Sequence, residues 1–153
     1  GRPVDYSEVS RGKPRVTALE ASAFVKALMS VTLDDFLQMR TYSRQSTLVL
    51  FDWQTDNCSG GFPDRWEEAF TESCWRHDFC YRNLGSAYKT NCDSLFRFDM
   101  LTTCSPGISG ILCRARADVY ANLVVIGGSP KVDGQAEERL AAYNRRLRDL
   151  YDD

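Results

Sequence analysis

"TESCWRHDFCYRNLGSAYKTNCDSLFRFDMLTT", residues 71–103, decides the fold. It predicts a helix from Thr71 as N-cap to Gly85 as C-terminal stop, then a second helix over "NCDSLFRFDMLTT". Only "GSAYKT" lies between them, so the two helices are expected to be antiparallel neighbours. In such a hairpin one register brings Cys80 to Cys92 and His77 to Asp93. A Cys80–Cys92 disulfide would then fix the hairpin and leave Asp93 within reach of the imidazole.

Helical spacing sorts the other groups. Cys74, His77 and Tyr81 fall on one stripe, three and four residues apart. Asp78 is turned by about 100° from His77, so these adjacent residues serve different neighbours. The expected neighbour of Asp78 is the loop "TDNCSGG", residues 55–61. If Cys58 pairs with Cys74, that loop is tied one turn from Asp78, and Asp56, backbone carbonyls and Asp78 converge. Hard oxygen donors of this kind suit Ca²⁺. Cys74, His77 and Cys80 could instead offer three zinc ligands, but spacings of three climb a helix and do not close a tetrahedron. Taken alone, a His-Asp dipeptide on a helix is an ordinary polar pair. The partner acid at hairpin register and the acid-bearing glycine loop are what raise it to a candidate site.

The rest of the chain fits a mainly α fold, with extra N- and C-terminal helices around the hairpin. "TALEASAFVKALMS" opens on a capping box, Thr17 with Glu20, and shows Ala21, Phe24, Val25 and Leu28 as its apolar face. "TLDDFLQMRTYSR" follows, with two acids in its first turn. "GILCRARADVYANLVVI" is stopped by Gly127 and Gly128, and a charged helix after Pro130 carries Leu140, Tyr143, Leu147, Leu150 and Tyr151 on one side. The opening "GRPVDYSEVSRGKPR" reads as a loose polar arm. It shows neither an initiator Met nor a signal-peptide pattern, as a processed secreted chain or an artificially trimmed one would. The 153 residues suit one domain with a real core, and the net charge of −2 argues against a nucleic-acid partner. No apolar run is long enough to span a membrane. Six cysteines, all in the middle of the chain, point to disulfides and an oxidising compartment, with fifteen pairings open in principle.

"CWRHDFCYRN" resembles the histidine signature of the secreted phospholipases A2, and its surroundings are most similar to the bacterial and fungal branch. "FDWQTDNC", "GFPD" and "DSLFRFDM" resemble that branch's loop, the segment after it and its next helix, in order across residues 51–100. The resemblance implies His77 as the base that takes a proton from water and Asp93 as the acid that orients it. It implies Asp56 and Asp78 side chains and the Asn57 carbonyl as Ca²⁺ ligands, and Cys58–Cys74 and Cys104–Cys113 as bridges. Cys80 and Cys92 depart from the bacterial and fungal pattern. So does "DRWEEAFTES", inserted before Cys74.

The expected function is a secreted, Ca²⁺-dependent phospholipase A2 that cuts the sn-2 ester of glycerophospholipids at a membrane or micelle surface. The catalytic domain would span residues 1–128, with residues 129–153 as an appended helix, in a chain expected to be monomeric. The alternative is a catalytically silent or toxin-like binding module on the same scaffold. Phe51, Trp53, Phe62, Trp66, Phe70 and Trp75 crowd the site, each readable singly as core and together as the lining of an acyl slot.

Overall fold

The computed structural model describes residues 15–46, 49–58, 66–132 and 134–151, and every regular element among them is helical. In chain order these are α1 (Ala18–Leu28), α2 (Leu33–Gln45), the single turn α3 (Trp66–Ala69), α4 (Thr71–Leu84), α5 (Lys89–Thr103), α6 (Ile111–Gly127) and α7 (Ala136–Tyr151). Short 3₁₀ turns at Ser86–Tyr88 and Ile108–Gly110 lead into α5 and α6. The helices α4 and α5 form the expected hairpin, and α6 packs against α5. The opening arm lies almost wholly outside the described residues.

Local chemistry explains the helix starts. Thr17 and Glu20 form the capping box at α1, each satisfying the other's backbone amide, a motif that contributes about 1 kcal/mol. Thr32 caps α2 through the Asp35 amide at 3.1 Å. The start of α4 differs from the sequence expectation. Thr71 is its first helical residue and Phe70 holds the cap position, without a side-chain cap. The Cys74 amide bonds the Phe70 carbonyl, and the fully buried Phe70 ring anchors the turn by packing instead. α5 also begins earlier than expected, at Lys89, because the 3₁₀ turn runs straight into it. Gly85 is required between them. It sits at φ +73°, and a Cβ there would meet Val132 at 2.8 Å.

Three disulfides join the described cysteines: Cys58–Cys74, Cys80–Cys92 and Cys104–Cys113. The second is the pairing that the hairpin register predicts, and the others are those the resemblance implies. With sequence separations of 16, 12 and 9, each contributes about 3 kcal/mol on the chain-entropy account. Because Cys74 and Cys80 are both bridged, neither is available as a zinc ligand.

Two apolar clusters flank α4. Val25, Leu28, Phe36, Trp53 and Phe79 make one, with Trp53 stacked on Phe79 at 4.3 Å. Phe70, Phe96, Met100, Ala117, Tyr120 and Ala121 pack around Cys58–Cys74 to make the other. Between them lies a fully buried ion pair. Arg76 forks onto Asp99 through Nε at 2.8 Å and Nη2 at 2.5 Å, and its Nη1 donates to the carbonyls of Leu28 and Val31. The pair fastens the α1–α2 corner to the hairpin, and with its donors satisfied the charge is tolerated inside.

One expectation about packing is corrected. Phe24 is 61% exposed, so the buried stripe of α1 is narrower, carried by Val25 and Leu28. Leu150 and Tyr151 are also exposed, and α7 buries no residue fully. One tie to the rest is Asn144, whose side chain pairs with both backbone groups of Val16 at 2.7 and 2.9 Å. Of the aromatics near the site, Phe51, Trp53 and Phe70 bear out the core reading. They belong to the two clusters, where mutual packing outweighs exposure to a cleft. The side chains of Phe62 and Trp66 lie outside the described residues.

Candidate active site

α4 carries His77 one turn before Cys80, and α5 carries Asp93 directly after Cys92. The Cys80–Cys92 bridge therefore sets the distance between them, and His77 Nε2 lies 2.8 Å from Asp93 Oδ1. Both residues are buried. The imidazole is held between the rings of Tyr81 and Phe96, with centroids 4.1 and 4.6 Å away.

Asp93 is saturated with donors. Tyr81 donates its hydroxyl to Oδ1 at 2.5 Å, and Lys89 Nζ donates to Oδ2 at 2.6 Å. Burial alone would raise the Asp93 pKa. Hydrogen bonds from His77, Lys89 and Tyr81 more than reverse this and hold the carboxyl below its usual range. Burial, with the Asp93 charge adding to it, pushes the Tyr81 phenol above its ordinary value, so it remains a donor. An ionised Asp93 accepts from Nε2–H. The tautomer assigned on that basis leaves Nδ1 as the basic nitrogen of the neutral ring.

Asp78, on the adjacent face of α4, is in a different state. It is half-buried, and its Oδ2 accepts the Thr55 hydroxyl at 2.5 Å. Burial first, with the neighbouring Asp56 charge adding to it, pushes its pKa up to about 7, against the pull of the Thr55 bond. Among the described residues no cation pairs with it.

The loop beside Asp78 is laid along α4 at both ends. Asn83 exchanges two bonds with the Asp52 backbone, at 3.1 and 2.9 Å, and Cys58–Cys74 pins the other end. Between them Asn57 takes a left-handed φ of 59°, which its short polar side chain tolerates. Its amide donates to Thr55 Oγ1 at 3.0 Å, and its Oδ1 accepts from Trp75 Nε1 at 2.7 Å. The Asn57 side chain is thus occupied, and its main-chain carbonyl is the oxygen left for a ligand role.

A cleft of about 1110 Å³ gathers these groups. Asp56, Asn57, His77 and Asp78 all line it, as do Tyr81, Phe96 and the last turns of α6 at Leu123, Val124 and Gly127. Asp93 does not line the cleft and sits behind His77. Among the described residues no three or more His, Cys, Asp or Glu side chains cluster to hold a metal. A divalent ion here would rest on two carboxylates, main-chain carbonyls and water. That all-oxygen set, with a half-buried carboxylate lacking a cation among the described residues, fits Ca²⁺ and is a poor fit for zinc.

Several site residues were not assigned a role from sequence. Lys89 stands four residues before Asp93 on α5, a spacing that signals an ion pair. Tyr81 falls on the histidine stripe, but helical spacing does not predict its bond to Asp93. Thr55 and Asn83 gave no periodic signal, because they act through single loop contacts.

Residues 25–128 match the family described as prokaryotic phospholipase A2. The chain is 32% identical over 113 residues to a "Secretory phospholipase A2" of Beauveria bassiana (strain ARSEF 2860), covering 69% of this chain and 58% of that one. It is 31% identical over 128 residues to a "Secretory phospholipase A2" of Arthroderma benhamiae (strain ATCC MYA-4681 / CBS 112371), covering 74% of this chain and 84% of the relative. It therefore spans less than two thirds of the first relative's length. The chain belongs to the prokaryotic phospholipase A2 family. No helix among the described residues is long and apolar enough to cross a membrane.

Proposed function

We propose that the protein is a secreted, calcium-dependent phospholipase A2 that hydrolyses the sn-2 ester of glycerophospholipids at a membrane or micelle surface. One observation carries this reading. His77, backed by the donor-saturated Asp93, meets the Asp78 carboxyl, with Asp56 beside it, at a single cleft. In this reading His77 Nδ1 takes a proton from water as that water attacks the ester carbonyl, then gives it to the departing alkoxide. Asp93 fixes the tautomer and stabilises the imidazolium. No protein nucleophile is required, and no described cysteine is free. Asp56, Asp78 and the Asn57 carbonyl are the oxygens suited to hold Ca²⁺. The bound ion supplies Lewis-acid stabilisation of the negative charge developing on the ester oxygen.

Three disulfides and two relatives named secretory support an extracellular setting. The family match ends at residue 128 and α7 buries nothing fully, which supports reading residues 1–128 as the catalytic domain and 129–153 as an appended segment.

The test is hydrolysis of phospholipid vesicles labelled differently at sn-1 and sn-2, first with Ca²⁺ and then with a chelator. Release of the sn-2 acyl chain that stops on chelation is the expected result. Release from sn-1, or release indifferent to chelation, overturns the proposal.

A further inference from the structure

Lys89 is the first residue of α5 and is only partly exposed. Its ammonium has three N–H donors, and three acceptors lie around it. Asp93 Oδ2 is 2.6 Å away, the Val124 carbonyl 2.9 Å and the Val125 carbonyl 3.1 Å. The two carbonyls belong to the last turns of α6, the helix end that carries partial negative charge, and the Val124 carbonyl also accepts the Gly128 amide at 2.8 Å. The same stretch of α6 walls the cleft through Leu123, Val124 and Gly127.

Asp93 has two oxygens with separate duties. Oδ1 faces His77 and Tyr81, and Oδ2 meets Lys89. A carboxylate bonded at Oδ1 alone can still swing about its Cα–Cβ and Cβ–Cγ bonds. A charge-assisted bond at Oδ2 removes that freedom, because it fixes the second oxygen and hence the carboxylate plane. Lys89 is itself fixed by the end of α6. The chain of contact runs from the cleft wall through Lys89 and Asp93 to the imidazole.

We propose that Lys89 is a positioning residue for the reaction, holding the Asp93 carboxylate in the plane that presents Oδ1 to His77 and locking that plane to the carbonyl end of α6. The inference rests on the phospholipase reading for its kinetic arm and on the structure alone for its spectroscopic arm. Because His77 is the only histidine of the chain, its ring N–H gives one low-field proton NMR signal, free of overlap from other imidazoles.

The experiment compares wild type with Lys89→Met, which keeps the stem and removes the charge, and Lys89→Arg, which restores it. Labelled phosphatidylcholine vesicles in Ca²⁺ are the substrate. In Lys89→Met, kcat is expected to fall about tenfold or more, the usual scale for losing an outer partner of a functional group. KM and Ca²⁺ affinity should stay near wild type. The His77 signal should broaden or move upfield, and Lys89→Arg should recover most of both losses. A residue that merely caps α6 would lower melting temperature and leave kcat and the signal alone, which overturns the proposal. Equal turnover in Lys89→Met and wild type overturns it too. If wild type hydrolyses no lipid, the phospholipase reading fails, and an unchanged signal in Lys89→Met overturns the positioning role separately. If Lys89→Met does not fold, Lys89→Gln takes its place, with the same outcomes.

Discussion

Carboxylates on the two faces of α4, Asp93 of α5 and its own Asp78, stand in opposite states. On the face towards α5, Asp93 meets a histidine, a tyrosine hydroxyl and a lysine, and its charge is fully answered from within the chain. On the face towards the loop, Asp78 meets a threonine hydroxyl and a second acid, and its pKa rises to about 7. Both sites are held by disulfides, so the difference does not come from rigidity. It comes from what answers the negative charge. The Asp93 side is complete as folded. The Asp78 side meets no cation among the described residues, and on the proposed reading Ca²⁺ completes it from outside.

The largest effect expected from this contrast is on turnover. His77→Asn should reduce ester hydrolysis by about 10²–10⁴-fold, the usual contribution of a general base, while leaving Ca²⁺ affinity unchanged in a calorimetric titration. If affinity falls along with activity, the two faces are not separate sites.

Substitutions of the two acids should act oppositely on the metal-free fold. Asp93→Asn takes the charge from three donors in a buried network and should cost about 2–3 kcal/mol in denaturant unfolding. Asp78→Asn removes a charge the metal-free fold disfavours, so unfolding with a chelator present should shift little or towards greater stability. Equal losses in both variants would erase the distinction between the faces.

The pH dependence sharpens the contrast further. The Asp78 pKa rises from 3.8 to about 7 on folding. A raised carboxyl favours folding at pH below its unfolded value, and that contribution is lost as pH rises through 7. The Asp93 pKa is lowered, so its contribution is present above the unfolded value and lost as pH falls towards the folded one. In chelator, melting temperature should therefore fall between pH 5 and pH 8, with Ca²⁺ restoring it at pH 8. A flat chelator curve over that range contradicts the Asp78 assignment.

The smallest effect is on the loop. Trp75→Phe removes the 2.7 Å bond to Asn57 Oδ1, which anchors the left-handed residue whose carbonyl faces a ligand role. Ca²⁺ affinity should weaken by about three- to tenfold, as for loss of a net hydrogen bond of about 1 kcal/mol. Unchanged affinity would show that Cys58–Cys74 alone holds the loop.

The hairpin and its histidine were legible in sequence because they rest on short-range rules. A six-residue connection forces antiparallel neighbours, and one register then pairs both Cys80 with Cys92 and His77 with Asp93. The same rules misplace Phe24, because a helical stripe shows which residues share a face and not how wide a face the neighbours cover. The buried Arg76–Asp99 pair escaped for a related reason. Its charges look solvated in a sequence, and only the carbonyls of Leu28 and Val31 brought from another helix end make its burial tolerable. Lys89 stood in view at four residues from Asp93, yet the carbonyls of α6 that complete its role come from 35 and 36 residues away. For Phe51, Trp53 and Phe70 the reading of each as core holds, while their nearness in sequence also suggested a shared slot. Closeness along the chain does not separate Trp53 stacked in the core from a side chain facing a cleft.

The most direct test of the account is a calorimetric Ca²⁺ titration of wild type and Asp78→Asn at pH 8. The account predicts one bound ion in wild type, with affinity largely lost in Asp78→Asn while the fold persists by circular dichroism. Absence of binding in wild type, or equal affinity in the two proteins, would contradict it.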